Sequence, residues 1–434
     1  MRIVHRRLAV ALAVAISAVL VSAAAASASN NSDFSYVPDL VQGPMLAFLG
    51  PHLPGVGNDC APLLGAPISI GCYDPAQIRQ AYNVPSTYDG SGQTIIVVDP
   101  YGDPTIEADL AFFDSFFGVP NPPSFTVYHA SATQTAGPHD AASWAHETAL
   151  DVEWAHAIAP KANLVLIEAP SASGNAVATV MQQIVPSYPG AIVSMSFGIE
   201  ESAISGNGNN THVRQMHKNF ELFASLGDTL VASDGDFGAS NGTSVNSPQY
   251  PASDPLSLSV GGTMGLPYPL GLCPTIDAVL DTCAYGGEQT WNEPGLGLAT
   301  GGGPSLVWGA PAYQQGVTGV STRAVPDVAF NAAINGGQLV VVGGHIGIFG
   351  GTSLGAPQWA GIVALINQAR SQVGKARLSL PGALYGHSGD FHDITVGSNT
   401  LAGSPVAGFN AGPGYDFATG LGTPNVANLI NDLK

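Results

Sequence analysis

Short apolar runs alternate with helix-like stretches along most of this 434-residue chain. The apolar runs are rich in Val, Ile and Leu and cover residues 94–98, 163–167, 191–195, 229–232 and 258–260. The helix-like stretches cover residues 105–117, 143–157, 211–226 and 353–370. This alternation predicts an α/β fold with a doubly wound, mainly parallel sheet and helices on both faces. We therefore assign residues 72–434 to one domain and expect its chemistry at the carboxyl ends of the strands.

The first 28 residues have the pattern of a secretory signal peptide. Three arginines among residues 1–7 precede an apolar run over residues 8–21, and Ala-Ser-Ala at 26–28 is a small-x-small cleavage site. A membrane anchor is the alternative, but the run is short for a membrane span. We therefore expect a secreted, extracellular protein with no membrane attachment after signal removal. Residues 29–71 are predicted to form a short leader or N-terminal wrap, with no full-size propeptide.

Acidic residues outnumber basic residues by 31 to 12, which gives a formal net charge of −19. Nucleic acids and anionic lipid surfaces both require clustered cations, so this charge argues against either of them as a partner. An acidic exported protein with few lysines is suited to low pH, where partial protonation of its carboxyls relieves their mutual repulsion.

The four cysteines fit an exported protein. Cys60 lies close to Cys72 in the sequence, and Cys273 lies close to Cys283. Two short-loop disulfides between these neighbours are the most economical of three possible pairings. Zinc binding is the weaker interpretation, because no His or Cys cluster with zinc-ligand spacing surrounds the four residues in the sequence.

A glycine-rich segment at residues 350–355 opens a strongly apolar helix and carries Ser353 near its start. Glycines allow the backbone to turn tightly there, and Pro357 is tolerated in the first helical turn. Such a turn presents a hydroxyl beside unpaired backbone N–H groups, which suits a nucleophile with an oxyanion site. An ordinary N-cap serine is the alternative interpretation.

Two acids four residues apart, Glu147 and Asp151, share one face of a predicted helix. No Lys or Arg occurs between Arg79 and Lys161 to pair with them. Adjacent carboxyls split their pKa values, so that one can act as a base while the other holds a proton. The alternatives are a solvated acidic helix face, or a subtilisin-type site in which the neighbouring His146 is the base.

A third polar segment, residues 233–238, directly follows the apolar run at 229–232 and contains Asp-Gly-Asp. Such a sequence is usually a turn or a cation site. However, an Asp that stays protonated in a cleft can donate a hydrogen bond to a developing oxyanion. Asp236 is therefore a candidate oxyanion donor, and this role works best at acid pH.

Taken in order, these motifs resemble those of the sedolisins, the serine-carboxyl peptidases. The matching patterns are Glu147-x-x-x-Asp151, Ser233-x-Gly235-Asp236-x-Gly238 and Gly351-Thr352-Ser353-x-x-x-Pro357. The resemblance covers about 360 residues, from Cys72 to the C-terminus. It implies a subtilisin-like fold and a secreted, acid-acting serine-type endopeptidase that hydrolyses protein or peptide substrates through an acyl-enzyme.

The resemblance also implies a role for each candidate residue. Ser353 is the nucleophile, Glu147 its general base and acid, Asp151 the residue that orients Glu147, and Asp236 the oxyanion donor. Asp99 lies where some sedolisins place a carboxylate linked to the catalytic Glu. Residues 194–198 and 300–304 are expected to flank an extended peptide.

One structural calcium ion is the implied cofactor. Its ligands are the carboxylates of Asp393 and Asp416 with the carbonyls of Ile394, Gly412 and Gly414, and water completes the set. Without the resemblance, an ordinary Gly-Pro-Gly turn with surface acids is the simpler interpretation. We expect a monomer. The alternative function is a non-catalytic secreted peptide-binding module on the same scaffold.

Overall fold

The computed structural model describes residues 33–46, 72–129, 137–204, 211–265, 285–378 and 380–434. The predicted signal peptide, most of the predicted leader, and Cys60, Cys273 and Cys283 lie outside the described residues. Cys72 is disulfide-bonded, and its pairing with Cys60 stays a prediction. Among the described helices, none combines the length and the apolar character that a bilayer span requires.

Seven parallel strands form the central sheet. They are β1 Thr94–Pro100, β2 Phe125–Tyr128, β3 Asn163–Ala169, β4 Ile192–Met195, β5 Thr229–Ser233, β6 Ser257–Met264 and β7 Val328–Asn331. Their order across the sheet is β2-β3-β1-β4-β5-β6-β7, so β1, β4 and β5 are neighbours. A short strand, Gln289–Thr290, pairs antiparallel with the end of β6. All five predicted apolar runs lie in or overlap these strands.

Helices cover both faces of the sheet, as the doubly wound prediction requires. They are α1 Pro75–Ala81, α2 Ile106–Phe117, α3 Pro138–Ile158, α4 Gly174–Ile184, α5 Glu201–Ile204, α6 Thr211–Ser225, α7 Gly355–Gln372 and α8 Val426–Leu433. Every residue of α7 from Gly355 to Ala369 is buried. This helix therefore forms a central part of the core, and its N-terminal end is held firmly.

Alternate residues of β1 feed two separate hydrophobic cores. Ile95 and Val97 pack in one core with α2, α3, α7 and α8. Ile96 and Val98 pack in the other core with α4 and α6. A strand that is apolar on both faces is the signature of a sheet covered on both sides, and it explains why the buried strands appear in the sequence as continuous Val/Ile/Leu runs.

Smaller sheets surround this core. In one sheet, the strand Phe197–Glu200 pairs antiparallel with Val37–Pro38 and with Gln249–Tyr250. A second sheet has four strands in the order Val41–Leu46, His345–Gly350, Gly337–Val342 and Cys72–Tyr73. The other pairs are Asn292–Glu293 with Leu298–Ala299, Gly303–Gly309 with Thr322–Val325, and Phe391–His392 with Thr423–Pro424. Residues 33–46 thus lie along two sheets of the domain.

Candidate active site

Three neighbouring strands and two helices converge on one buried site. The carboxyl end of β1 carries Asp99, residue 196 follows β4, and the Ser233–Gly238 segment begins at the end of β5. Helix α3 contributes Glu147 and Asp151, and the turn before α7 contributes Ser353. The strand order brings these segments together, because β1, β4 and β5 are adjacent in the sheet although they are far apart in the chain.

Ser353 lies in a tight 3₁₀ turn, Thr352–Leu354, that leads directly into α7. The preceding Gly351 has φ +107°, a conformation that favours glycine. The Ser353 side chain is buried, and its hydroxyl donates to the Ser196 carbonyl at 3.4 Å. Its backbone N–H donates to the carbonyl of Asp39 at 3.0 Å. The turn therefore directs both donors of Ser353 into the same small space.

Glu147 and Asp151 lie one turn apart on α3, and both are fully buried. The hydroxyl of Ser196 donates to Asp151 at 2.7 Å and so fixes that carboxyl. Burial raises the pKa of Glu147 well above its usual range, and Asp151 raises it further, whereas the nearby Ser353 hydroxyl lowers it. Among the described residues, neither Glu147 oxygen has a hydrogen bond of ordinary geometry. This carboxyl is therefore available to exchange a proton with Ser353.

Among the described residues, the site is a cluster of acids without a cation. Burial raises the pKa of Asp151 well above its usual range and that of Asp99 to about 8. The charge of Asp99 raises the pKa of both Glu147 and Asp151. Within the described part of the chain, no basic group contributes to the shift of any of these three acids. Carboxyls so arranged share protons instead of ionising together.

Asp236 is fixed from the opposite side of Ser353. Its Oδ1 accepts the backbone N–H of Thr352 at 2.8 Å and the hydroxyl of the same residue at 2.9 Å. Its Oδ2 is buried and has no partner among the described residues. Burial raises the pKa of Asp236 well above its usual range, and the charge of Asp39 adds to the effect. When Oδ2 is protonated, it can therefore donate a hydrogen bond to a bound ligand atom.

No family model matches the chain. It is 33% identical to kumamolisin of Bacillus sp. (strain MN-32) over 377 residues, which cover 83% of this chain and 63% of that protein. It is 32% identical to sedolisin of Pseudomonas sp. (strain 101) over 273 residues, 60% of this chain and 43% of that protein. The chain belongs to the sedolisin family.

The solved structure of Pseudomonas sedolisin, a serine-carboxyl proteinase in complex with two molecules of pseudo-iodotyrostatin, has the same fold. It superposes with a TM-score of 0.69 at 24% identity and covers 84% of this chain and 99% of the solved one. The subtilisin-like α/β fold expected from the sequence is thereby confirmed. The chain spans less than two thirds of the length of kumamolisin and of sedolisin.

The four residues that the sequence singled out for catalysis lie together in this sedolisin. Ser353 is linked to Asp151 through Ser196, and to Asp236 through its chain neighbour Thr352. His146, the alternative base, lies on another side of α3, where its ring packs edge-on against Phe349 with centroids 5.6 Å apart. Its pKa is lowered by burial, and no described hydrogen bond joins it to the nucleophile.

Sequence reasoning missed two residues of the site. Asp39 belongs to the N-terminal segment, yet it is buried in the cleft with its carbonyl on the N–H of Ser353. Gln249 donates to the Asp39 carboxyl at 2.5 Å. The sequence around Asp39 has no periodicity and no motif, so only the antiparallel pairing of residues 37–38 with Phe197–Glu200 brings it there.

The predicted calcium ligands lie on one loop near the C-terminus. Asp393 accepts the N–H of Gly414 at 3.0 Å, and Asp416 accepts the N–H of Gly412 at 3.1 Å. Both carboxylates thus accept hydrogen bonds from the same glycine turn. A set of oxygen donors alone fits a hard cation such as calcium. Separately, ligand atoms of His387, Asp390 and Asp432 lie within 4.8 Å of one another and form a further group compatible with a metal.

Proposed function

We propose that this sedolisin is a secreted endopeptidase that hydrolyses peptide bonds at acid pH through an acyl-enzyme. The observation that carries the proposal is the burial of the Ser353 hydroxyl among carboxyls on two sides. Glu147 and Asp151 lie towards α3, and Asp236 lies towards the end of β5. A pure binding module gains nothing from an unpaired acid cluster, which lowers the stability of the fold.

In the first step, the Ser353 oxygen attacks the carbonyl carbon of a bound peptide and its proton passes to Glu147. General-base catalysis requires the base to be ionised and within hydrogen-bond reach of the hydroxyl. Because the clustered carboxyls share protons, one of them can be ionised while its neighbours remain neutral. Asp151, which accepts a hydrogen bond from Ser196, orients the Glu147 carboxyl and is one of the carboxyls that share protons with it.

The negative oxygen that forms is stabilised by two donors, the Ser353 N–H and the protonated Asp236. Both face the α-carbon of Gly351. A Cβ added to Gly351 would lie 2.5 Å from the carbonyl oxygen now bound to that N–H and 2.6 Å from Asp236 Oδ2. The missing side chain of Gly351 therefore leaves room for the oxyanion, and preorganised donors in a buried site stabilise it strongly.

Glu147 then gives its proton to the amine that leaves, and the peptide bond breaks to give an ester on Ser353. A water molecule, deprotonated by Glu147, attacks this ester and releases the acid. Microscopic reversibility assigns both the acid and the base role to the same carboxyl. The proton that departs with the amine is replaced by a proton from this water, which Glu147 returns to the Ser353 oxygen, so the site is restored over the whole cycle.

The raised pKa of Asp236 supports operation in acid. Asp236 must hold a proton to donate to the oxyanion, and burial raises its pKa, so the donor persists through the acid range. A carboxyl base also remains partly ionised where an imidazole is fully protonated. Activity is therefore expected to fall at high pH as Asp236 ionises, and in acid once every carboxyl of the proton-sharing group around Glu147 is protonated.

The shape of the cleft supports cleavage inside a chain. Residues 34–39 and 41–46 are paired to the domain through their backbones on the two sides of Ser353. A peptidase that trims short pieces from a chain end needs a cleft that is closed a few residues from the nucleophile. A cleft that accommodates chain on both sides suits an endopeptidase.

The pH profile of casein hydrolysis tests the proposal. We expect a maximum below about pH 5, loss of activity in Ser353→Ala, and a fall in activity of about 10³–10⁴ in Glu147→Gln. His146→Ala is the matched control on the same helix and retains activity. A neutral-to-alkaline optimum that depends on His146 and not on Glu147 contradicts the carboxyl mechanism, and inactivity of the wild type at every pH favours a binding module.

We also propose one structural calcium ion, held by Asp393 and Asp416 with the carbonyls of Ile394, Gly412 and Gly414. Bound calcium supplies a rigid cross-link between the segments that carry these residues. The expected result is that a chelator lowers the melting temperature and that Asp393→Asn abolishes the chelator effect. An unchanged melting temperature contradicts the site, and metal analysis of the intact protein gives an independent measurement.

The organisation of the chain is proposed as a signal peptide at 1–28, a leader at 29–71 and a peptidase domain at 72–434. Secretion and a monomeric state belong to the same proposal. N-terminal sequencing of protein recovered outside the host cell tests the first cleavage site. Sedimentation or gel filtration of the purified protein tests the monomer.

A further inference from the structure

One imidazole and two carboxyls meet beside the C-terminal helix α8. They belong to His387, Asp390 and Asp432, whose ligand atoms lie within 4.8 Å of one another. His387 directly precedes the 3₁₀ turn Ser388–Asp390, which Asp390 ends, and Asp432 lies in the last turn of α8. The fold therefore brings these three side chains together from two segments that are far apart in the sequence.

Asp390 is the buried member of this group. It is 7% exposed, and its Oδ2 is buried without a hydrogen bond of ordinary geometry among the described residues. The same oxygen faces His387 Nδ1 at 3.6 Å. A buried carboxylate oxygen that lacks a hydrogen-bond partner is costly to the fold. A ligand that fits between this oxygen and the imidazole would remove that cost.

The distance between the two atoms fits a metal ion that both of them bind. Zinc binds histidine nitrogen and carboxylate oxygen at about 2.0–2.2 Å in tetrahedral geometry, so two of its ligand atoms lie about 3.3–3.6 Å apart. A direct N–H···O hydrogen bond is shorter, about 2.7–3.2 Å. The separation of 3.6 Å between His387 Nδ1 and Asp390 Oδ2 therefore matches two ligands of one metal better than a hydrogen bond.

The charges around this group favour a bound cation. Burial raises the pKa of Asp390, and the facing charge of Asp432 raises it further. Asp432 also lies in the last turn of α8, where the helix dipole disfavours a negative charge. The basic side chains at this end of the described chain bind other acceptors: Arg370 donates to the Leu433 carbonyl, Lys375 to the Lys434 carbonyl, and Lys434 to the Asn431 side chain.

The donor set selects the class of metal. An imidazole nitrogen with carboxylate oxygens suits zinc and related transition metals, whereas calcium prefers oxygen ligands alone. We propose that His387, Asp390 and Asp432 bind one zinc ion, with water in the fourth position. This site is distinct from the proposed calcium site at Asp393 and Asp416, and it does not depend on the proposed peptidase function.

A zinc ion at this position cross-links the end of the chain to the domain. Helix α8 packs its buried face in the same core as α7. The last residues of a domain are poorly ordered unless contacts tie them down. A metal that binds only the folded arrangement stabilises it by mass action, and it closes a long loop between its ligands. We therefore expect zinc to raise the melting temperature of the intact protein.

The first test is a calorimetric titration of the chelator-treated, dialysed protein with zinc chloride at pH 7, in a buffer with excess calcium. We expect one zinc ion per chain. His387→Ala, Asp390→Asn and Asp432→Asn should each weaken zinc binding by about tenfold or more, since even the loss of a second-shell partner costs about 10–100-fold in metal affinity. His345→Ala, which removes an exposed histidine outside the group, is the matched control and keeps the wild-type affinity.

The second test compares thermal melts with and without zinc in the same calcium buffer. Zinc should raise the melting temperature of the wild type and leave that of Asp432→Asn unchanged. Asp432 is exposed, so this variant keeps the fold even if Asp390→Asn, which alters a buried group, does not.

Three results would overturn the proposal. Equal zinc affinity in the wild type and in all three variants refutes the site. A loss of affinity in His387→Ala alone means that zinc binds a single surface histidine, and it refutes the role of the two carboxyls. Binding that depends on all three residues but leaves the melting temperature unchanged refutes the cross-link.

Discussion

Two buried sites hold carboxyl groups in opposite environments. Asp327 lies just before β7, and its carboxylate accepts hydrogen bonds from the two terminal guanidinium nitrogens of Arg323 at 2.6 and 2.5 Å. The backbone N–H of Ser259 and the hydroxyl of Tyr385 donate to the same carboxylate at 2.8 and 2.6 Å. At the active site, Glu147 and Asp151 are buried equally deeply and face other acids, without a cation among the groups that shift their pKa values.

This difference distinguishes an acid that stabilises the fold from acids that can exchange protons during catalysis. A buried carboxylate that has a bidentate arginine and further donors stays ionised and holds its surroundings together. Buried carboxyls that face one another cannot all ionise, so protons move between them as conditions change. Depth of burial alone therefore does not identify the active site, whereas the sign of the neighbouring charge does.

The strongest test of this comparison is Glu147→Gln. We expect kcat/KM for peptide hydrolysis to fall by about 10³–10⁴, because the amide cannot accept the Ser353 proton. The melting temperature at pH 7 should be unchanged or higher, since the substitution removes one acid from the cluster. The matched control is Glu153→Gln on the same helix, whose carboxylate accepts the Val341 N–H at 2.9 Å and which should leave activity intact. Equal losses in both variants contradict the distinction.

The complementary test is Arg323→Met. It leaves the Asp327 carboxylate buried without its cation and should lower the free energy of unfolding by about 3–5 kcal/mol, measured by urea denaturation. The double variant Arg323→Met/Asp327→Leu removes both charges and should recover much of this loss. If the single variant is as stable as the wild type, the Arg323–Asp327 pair is not the structural element that we describe.

Asp236 sharpens the comparison, because it is an acid that must remain protonated. Asp236→Ala removes the second oxyanion donor and should lower kcat by about 10²–10³ with little change in KM. Asp236→Asn retains a donor that does not titrate, so it should lose less activity and shift the alkaline limit of the pH profile upward. An Asn variant with the wild-type alkaline limit would show that another group sets this limit.

The smallest expected effect is the change in stability per pH unit. The raised pKa values of Asp39, about 7, and Asp99, about 8, mean that the folded state holds protons that the unfolded chain releases near pH 4. The stability that these two protons contribute is therefore fully present below about pH 4 and is lost as pH rises from there to about 7 and 8, by at most about 1.4 kcal/mol per pH unit for each proton. Thermal melts of Ser353→Ala, which avoids self-digestion, measure the slope, and Asp99→Asn should reduce it. A melting temperature that rises over this range contradicts the assignment.

The fold was predictable where its elements are long and apolar. The five predicted runs became or overlapped β1, β3, β4, β5 and β6, and the predicted helices became α2, α3, α6 and α7. Strand β2 was missed because it has four residues and none of them is fully buried. Strand β7 was missed because its four residues directly follow Pro326-Asp327, which reads as a turn. Short elements give a weak periodic signal, and their partners in the sheet decide them.

The sequence predicted which catalytic candidates are local neighbours, but it did not predict how these neighbours assemble into one site. The spacing of Glu147 and Asp151 placed them on one helix face, and the glycines before Ser353 indicated a tight turn. Nothing local in the sequence connected Ser196 with Asp151, or Asp39 with Ser353. These two contacts span 45 residues in one case and more than 300 in the other.

The sequence by itself determined the alternation of strands and helices, the face of α3 that carries two acids, and the family to which the chain belongs. These features depend on residues a few positions apart, where backbone periodicity fixes the geometry. The tertiary structure decided that β1, β4 and β5 lie side by side, that no basic group of the described residues shifts the pKa of the acids, and that residues 37–39 lie in the cleft. Such contacts arise from the order in which strands pair across the sheet, and that order depends on the packing of the whole domain.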